Sequence, residues 1–105
     1  MAHEVVFRPT ARDDLAEIED WIAERSNQAI ADSYGDRIIA ACGALADFPR
    51  RGTAREDLRP GIRTLAFERG ATIVYLVRSD VVEIVRILRR GRDIAGAFND
   101  DPQPL

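Results

Sequence analysis

The side chains most capable of chemistry in this chain are four arginines, Arg86, Arg89, Arg90 and Arg92, gathered at the end of an apolar run. A guanidinium is planar, forked and permanently charged, so it grips carboxylate or phosphate but cannot act as a base at neutral pH. Groups that do move protons there are scarce. The only histidine is His3, beside the start, where no scaffold is expected to hold it for Ser-His-Asp or Cys-His catalysis. There is no lysine, which removes Schiff-base and lysine general-base mechanisms. The single cysteine, Cys42, has no second thiol for a disulfide or a metal, and reads as a core residue within an apolar helical pattern. Tyr34 and Tyr75 lie on apolar stripes and read as core residues with a hydroxyl at the edge. No glycine-rich phosphate loop precedes a helix and no zinc-ligand spacing occurs, so neither cofactor nor metal is expected. The inventory points to binding through arginine, with no catalytic residue.

The arginines end a hairpin. Ala71 to Val77 and Val81 to Leu88 are β-branched runs around the polar turn Arg78-Ser79-Asp80, so a core element should carry the cationic tip rigidly. Upstream, Glu4 to Arg8 reads as a strand that Pro9 ends. Thr10 followed by Asp13 resembles a capping box, and Asp13, Asp14 and Glu17 suit the positive end of a helix. In that helix Leu15, Ile18 and Ile22 form the inward stripe, while Asp14, Glu17, Asp20 and Glu24 are expected to face water. Ser26 or Asn27 opens a second helix whose stripe, Ile30, Tyr34, Ile38, Ala41, Leu45 and Phe48, runs to Pro49. Arg50 to Gly61 reads as a crossover loop, and Ile62 to Phe67 as a strand. Leu58 and Ile62 read as core, Gly91 as a special backbone position, and Asp93 to Phe98 as a short helical turn. Strand, helix, helix and three strands imply an α+β domain in which a helical hairpin covers one face of the sheet and the other face is partly open.

The 105 residues form one domain, and no apolar run reaches the roughly 20 residues a membrane span needs. The start lacks a secretion-signal pattern, so a cytoplasmic protein is expected. Net charge is −3 but divided: four arginines against ten acids through Pro49, then eleven arginines against six acids from Arg50 to Asp93. Such a two-sided chain suggests charged partners.

The segments Phe7-Arg8-Pro9-Thr10-Ala11, Asp14-Leu15, Trp21-Ile22-Ala23-Glu24, Phe48-Pro49-Arg50-Arg51-Gly52, Asp57 to Arg63, Arg86-Ile87-Leu88 and Gly91-Arg92-Asp93 together resemble ParE toxins of the RelE/ParE superfamily. That resemblance implies a RelE/ParE-like domain over residues 1–98, with the helical hairpin packed on a small, mainly antiparallel four-stranded sheet (β-α-α-β-β-β), and a flexible tail over 99–105. It further implies the toxin half of a type II toxin-antitoxin pair, neutralised by a ParD-like antitoxin. When free, such a toxin is expected to poison DNA gyrase. The alternative within the superfamily is a RelE-type ribosome-dependent mRNA interferase. Against it, Thr72 stands where a nuclease arginine would align, Phe98 where a terminal tyrosine would fall, and there is no lysine; the chain also departs from ParE relatives, with Arg89 where they place a histidine after Ile-Leu. A second alternative, a plain nucleic-acid-binding module, conflicts with the acidic balance, and no sequence-specific DNA binding by this chain alone is expected. On this reading Arg86, Arg89, Arg90 and Arg92 are the target-binding candidates, and Trp21, Tyr34, Arg59 and Arg63 the antitoxin-binding candidates. The competing reading pairs these arginines structurally with Glu56, Asp57, Glu83 or Asp93.

Overall fold

The structure, a computed structural model, describes residues 2–91 and 94–99, without the side chains of 97–99. Arg92 and the tail beyond Asn99 lie outside the described residues.

The chain runs β1 (Glu4–Phe7), α1 (Pro9–Arg25), α2 (Gln28–Gly43), a 3-10 turn (Ala44–Ala46), β2 (Thr53–Ala54), β3 (Ile62–Phe67), β4 (Ala71–Arg78), β5 (Val81–Arg89) and α3 (Ile94–Asn99). The described sheet has five strands in the order β1-β5-β4-β3-β2, with β1 parallel to β5 and the other pairs antiparallel. The strand missed from sequence is β2, two residues inside the expected crossover loop, too short to show an alternating pattern. The β4–β5 hairpin closes through Ser79-Asp80, with Ser79 at φ 45°.

The start of α1 differs from the expected capping box. Pro9 occupies the first turn, Arg8 is the N-cap, and no side chain caps the helix. Proline suits that position because its missing N–H would be unsatisfied anyway. Thr10 and Asp14 serve β5 instead. β1 pairs β5 only as far as Ile84, and beyond it α1 takes over the open edge. The Arg8 N–H donates to the Ile84 carbonyl at 3.0 Å, the Thr10 hydroxyl to the Val85 carbonyl at 3.1 Å, and the Ile87 N–H to Asp14 Oδ2 at 3.0 Å. An edge that would otherwise present unpaired backbone groups is closed.

α2 is capped by Asn27, whose side chain accepts from the Ile30 N–H. Ile38, Cys42 and Leu45 are buried as expected, but Ile30 and Phe48 are exposed, 51% and 67%. The helix stops at Gly43, and beyond the 3-10 turn Phe48 leaves the line of the stripe, while Ile30 sits in the exposed first turn of α2.

The main core lies between the hairpin and one sheet face, around Leu15, Ile18, Ile38, Leu45, Ile73, Tyr75, Ile84 and Ile87. On the other face Ile62, Val74, Val85 and Leu88 form a second cluster against Leu58, Leu76 and Ile94. That face, expected to be partly open, is thus covered by the loop before β3 and the start of α3.

Candidate functional site

β5 carries the arginines, and its geometry divides them. Asp14, expected to face water, is 6% exposed, and Arg86, expected at the cationic tip, is 8% exposed. The two form a fork-to-fork pair, Arg86 Nε to Asp14 Oδ2 at 2.7 Å and Nη2 to Oδ1 at 2.9 Å. Asp14 also accepts the Ile87 N–H, so its carboxylate joins α1 to β5 from inside. Arg86 is therefore part of the fold and not of the exposed tip.

Arg89 emerges about two turns of α1 further along, at Trp21. Its guanidinium carbon lies 4.9 Å from the centre of the Trp21 ring, and that of Arg25 lies 4.4 Å from the same ring. The indole quadrupole attracts both cations, and Trp21 is left 39% exposed between them. Arg90 is exposed beside them, tied by its backbone N–H to the Gly70 carbonyl in the β3–β4 turn. Thr72, in a shallow depression with Arg69, Arg89, Arg90 and Gly91, brings no charge there. Gly91 turns the chain at φ 88°, a conformation open to glycine.

Tyr34 stands at the same end of the sheet. Its ring packs edge-on against Phe67 at 5.4 Å, and Arg37 lies over it. Arg37 pairs in turn with Glu68. Burial pushes the Tyr34 phenol above its ordinary pKa, a change that Glu68 reinforces and Arg37 opposes. The acids expected to pair with the candidate arginines are engaged elsewhere. Glu83 binds Arg8, Asp57 binds Arg55, and Glu56 accepts the Gly61 N–H, while Asp93 lies outside the described residues.

At the opposite end of the strands, Arg63 uses its Nη1 to hold the Arg50 and Gly52 carbonyls at 3.2 and 2.6 Å. Tyr75, fully buried, donates its hydroxyl to the Pro49 carbonyl and accepts the Gly52 N–H, both at 2.8 Å. Gly52 admits no side chain, since a Cβ there would come within 2.7 Å of the Thr64 carbonyl and the Tyr75 hydroxyl. The loop after α2 is thus held rigidly above an open groove of about 1030 Å³, lined by Phe48, Arg50, Arg51 and Arg63, with Val77 and His3 behind. His3 is half-buried, and its backbone is fixed by a hydrogen bond from its N–H to the Ala46 carbonyl, contrary to the mobile start expected.

The candidate residues therefore regroup. Trp21 and Tyr34 join Arg89 and Arg90 at one end, while Arg63 lines the groove at the other. Arg59 is half-buried in the loop leading to β3, where its carbonyl accepts the Ile62 N–H. The groove-forming residues Phe48, Arg50 and Arg51 were not singled out as a site from sequence. The signal was present in the run Phe48-Pro49-Arg50-Arg51-Gly52, whose aromatic residue was absorbed into a helical stripe.

Comparison with known proteins agrees with this architecture. Residues 5–94 match the family described as ParE toxin of type II toxin-antitoxin system, parDE. The chain is 36% identical over 75 residues to the toxin ParE3 of Caulobacter vibrioides, covering 71% of this chain and 74% of that one. It is 30% identical over 95 residues to the toxin ParE1 of Mycobacterium tuberculosis, covering 90% and 96%. A solved structure of the chromosomal ParDE toxin-antitoxin system from Pseudomonas aeruginosa superposes with a TM-score of 0.74 at 25% identity, covering 84% of this chain and 96% of that one. The toxin-antitoxin complex RelBE2 of M. tuberculosis shares the fold, with a TM-score of 0.58 at 22% identity and coverage of 86% and 100%.

Proposed function

This chain belongs to the ParE toxin family of type II toxin-antitoxin systems, and on that premise we propose that it halts growth by binding DNA gyrase and is neutralised by a ParD-like antitoxin. The family match over residues 5–94 is the observation that carries the reading. The chemistry of the Arg89 end supports binding over cleavage. Its groups are guanidiniums, an indole, a phenol made less acidic by burial and one carboxylate, Glu68, which Arg37 engages, while the only histidine lies by the groove at the other end of the strands. A nuclease needs a group to accept the ribose 2′-hydroxyl proton, and guanidinium does not serve.

Arg89 and Arg25 over Trp21, with Arg90 next to Arg89, are the surface we assign to the target. Tryptophan and arginine are the residue types on which interface energy concentrates. Arg92, next in sequence, belongs to the same proposal. A protein partner suits this chain better than bare nucleic acid, because its net charge of −3 opposes the dense phosphate charge at long range. The protein would act in the cytoplasm, where gyrase is. Among the described residues no helix is long and apolar enough to cross a membrane.

The test is expression of the chain with and without the product of the adjacent reading frame, followed by a gyrase supercoiling assay and a measure of message integrity. Growth arrest with blocked supercoiling and intact messages is expected. Ribosome-dependent cuts in messages would place the protein with the RelE-type interferases, and unaffected growth would remove the toxin reading.

A further inference from the structure

We propose that Arg37 on α2 and Glu68 in the β3–β4 turn are positioning residues for the target surface, pinning the turn that holds Arg69 and Arg90 beside Arg89. The proposal rests on the toxin reading above and adds what keeps its arginine end in a binding geometry.

The arginine end is built on a strained turn. Phe67 pairs with Ala71 and Ala71 with Arg89, so Glu68-Arg69-Gly70 sits directly against the end of β5. One residue further the ladder continues through this turn, the Arg90 N–H donating to the Gly70 carbonyl at 3.0 Å. Beyond it Gly91 turns away at φ 88°, with open space where a Cβ would stand. Arg69 comes from the turn itself and lines the same shallow depression as Arg89 and Arg90. The placing of the turn therefore decides how these guanidiniums stand relative to one another. Glu68 has φ 50°, in the left-handed region that residues with a Cβ occupy at a cost. Such a conformation persists only where the surroundings fix it.

α2 supplies the fixing groups. Arg37 Nε donates to Glu68 Oε2 at 2.9 Å and Nη2 to Oε1 at 3.3 Å, a fork that sets orientation as well as distance. The same guanidinium is oriented from behind, Nη1 donating to Ser33 Oγ at 2.9 Å and its carbon lying 5.7 Å from the centre of the Tyr34 ring. Tyr34 meets the turn on both sides of Glu68. Its ring packs edge-on against Phe67, and its hydroxyl stands so near Gly70 that a Cβ there would approach it to 3.1 Å.

The pair is placed to order a turn and not to hold the fold. The Arg37 and Glu68 side chains are 49% and 48% exposed, whereas Arg86 and Asp14 are joined inside the core. An exposed pair contributes little to global stability, but tying a turn to a packed helix restricts its local opening. Without the pair the molecule should stay folded with its arginines less firmly placed, and it gives up the share of affinity that preorganisation supplies.

The experiment compares Arg37→Ala, Glu68→Ala and the exchanged pair Arg37→Glu/Glu68→Arg in the full chain. It reads inhibition of gyrase supercoiling, urea unfolding by Trp21 fluorescence, and amide exchange at Arg90. Each single variant should raise the concentration for half-inhibition about fivefold or more and speed Arg90 exchange by a similar factor, with the urea midpoint close to that of the wild type. The exchanged pair should return inhibition and exchange to near the wild-type values. Arg55→Ala, which breaks the exposed Arg55–Asp57 pair before the other end of β3, should change neither. Single variants that inhibit as the wild type does, or that lose inhibition only together with the fold, would overturn the proposal. So would an exchanged pair that stays inactive, which would make Arg37 or Glu68 a contact of the target itself. Arg90 exchange is read without gyrase, so an unchanged rate in Arg37→Ala overturns the proposal whatever the target. A wild-type chain that leaves supercoiling untouched removes the gyrase reading instead.

Discussion

Replacing Asp14 with alanine should come close to unfolding this protein. Asp14 and the Arg86 side chain are 8% and 10% exposed, and the carboxylate takes two donors from Arg86 and one from the Ile87 backbone. Removing it takes from a buried guanidinium the carboxylate that it forks to and from a strand-edge N–H its acceptor. Breaking one partner of a buried pair costs about 3–5 kcal/mol, against a total stability of roughly 5–15 kcal/mol for a domain of ordinary stability. With a urea m-value of about 1–2 kcal/mol/M, the unfolding midpoint should fall by roughly 2–3 M. The fluorescence of Trp21, the only tryptophan, reports the transition directly. Arg86→Ala should behave alike, so it would lose toxicity by losing the fold. The double replacement Asp14→Leu/Arg86→Met removes both charges at once and should recover most of the lost stability, a coupling of about 2 kcal/mol or more in the cycle. A single-mutant cost below about 1 kcal/mol, within the ordinary range of surface substitutions, would refute the reasoning. So would a folded double variant that no longer arrests growth, since Arg86 would then contact the target itself.

Three further outcomes are expected. Tyr75→Phe deletes the hydroxyl that serves both Pro49 and Gly52 and should cost about 1–3 kcal/mol, with faster amide exchange over residues 49–52; Gly52→Ala should cost more, and a thermal melt that ranks them the other way would contradict the packing described. Trp21→Ala should abolish growth arrest while shifting stability by less than about 2 kcal/mol, the order of its two cation contacts, and an inert variant that is also unfolded by circular dichroism would count against a binding role. Cys42, whose thiol is pushed by burial up to about 12 from 9.0, should resist thiol reagents in the native state. Below pH 9 the thiol is protonated in both folded and unfolded chains and has no pH effect. Between pH 9 and about 12 only the unfolded chain ionises, so stability should fall by up to about 1.4 kcal/mol per pH unit, a slope that Cys42→Ala should remove.

Most of the fold was legible because it rests on periodicity. The hairpin of β4 and β5, both long helices and the inward stripe of α1 follow from where apolar residues recur, and Asn27 marks a helix start by its own stereochemistry. What sequence could not show was which polar residues the topology would bury. Asp14 looks like any other acid in the first turns of a helix, and its burial follows only because β1 ends at Ile84 and leaves the β5 edge for α1 to finish. The same holds for Phe48, which keeps the spacing of the α2 stripe on paper until the 3-10 turn rotates it away from the core.

The division among the arginines has a single physical origin. A strand end can keep a guanidinium inside only if a carboxylate of a neighbouring element reaches it, because an unpaired buried charge would reverse the gain of folding. Along β5 that condition is met at Arg86 by Asp14 and fails three residues later, where α1 offers Trp21 instead of an acid. An indole attracts a cation without neutralising it, so Arg89 is positioned and yet keeps its charge for an outside partner. At the other end of the sheet Arg63 is held by carbonyl oxygens, which likewise orient it and leave its charge in place. Arg25 and Arg89 at one end and Arg63 at the other keep their charge for the same reason: each is anchored by groups that fix geometry and carry no formal negative charge. A carboxylate placed against the indole itself, as in Arg25→Glu, should pair with Arg89 and abolish growth arrest with the fold intact by circular dichroism, and a folded variant that still arrests growth would show that this surface is not the contact.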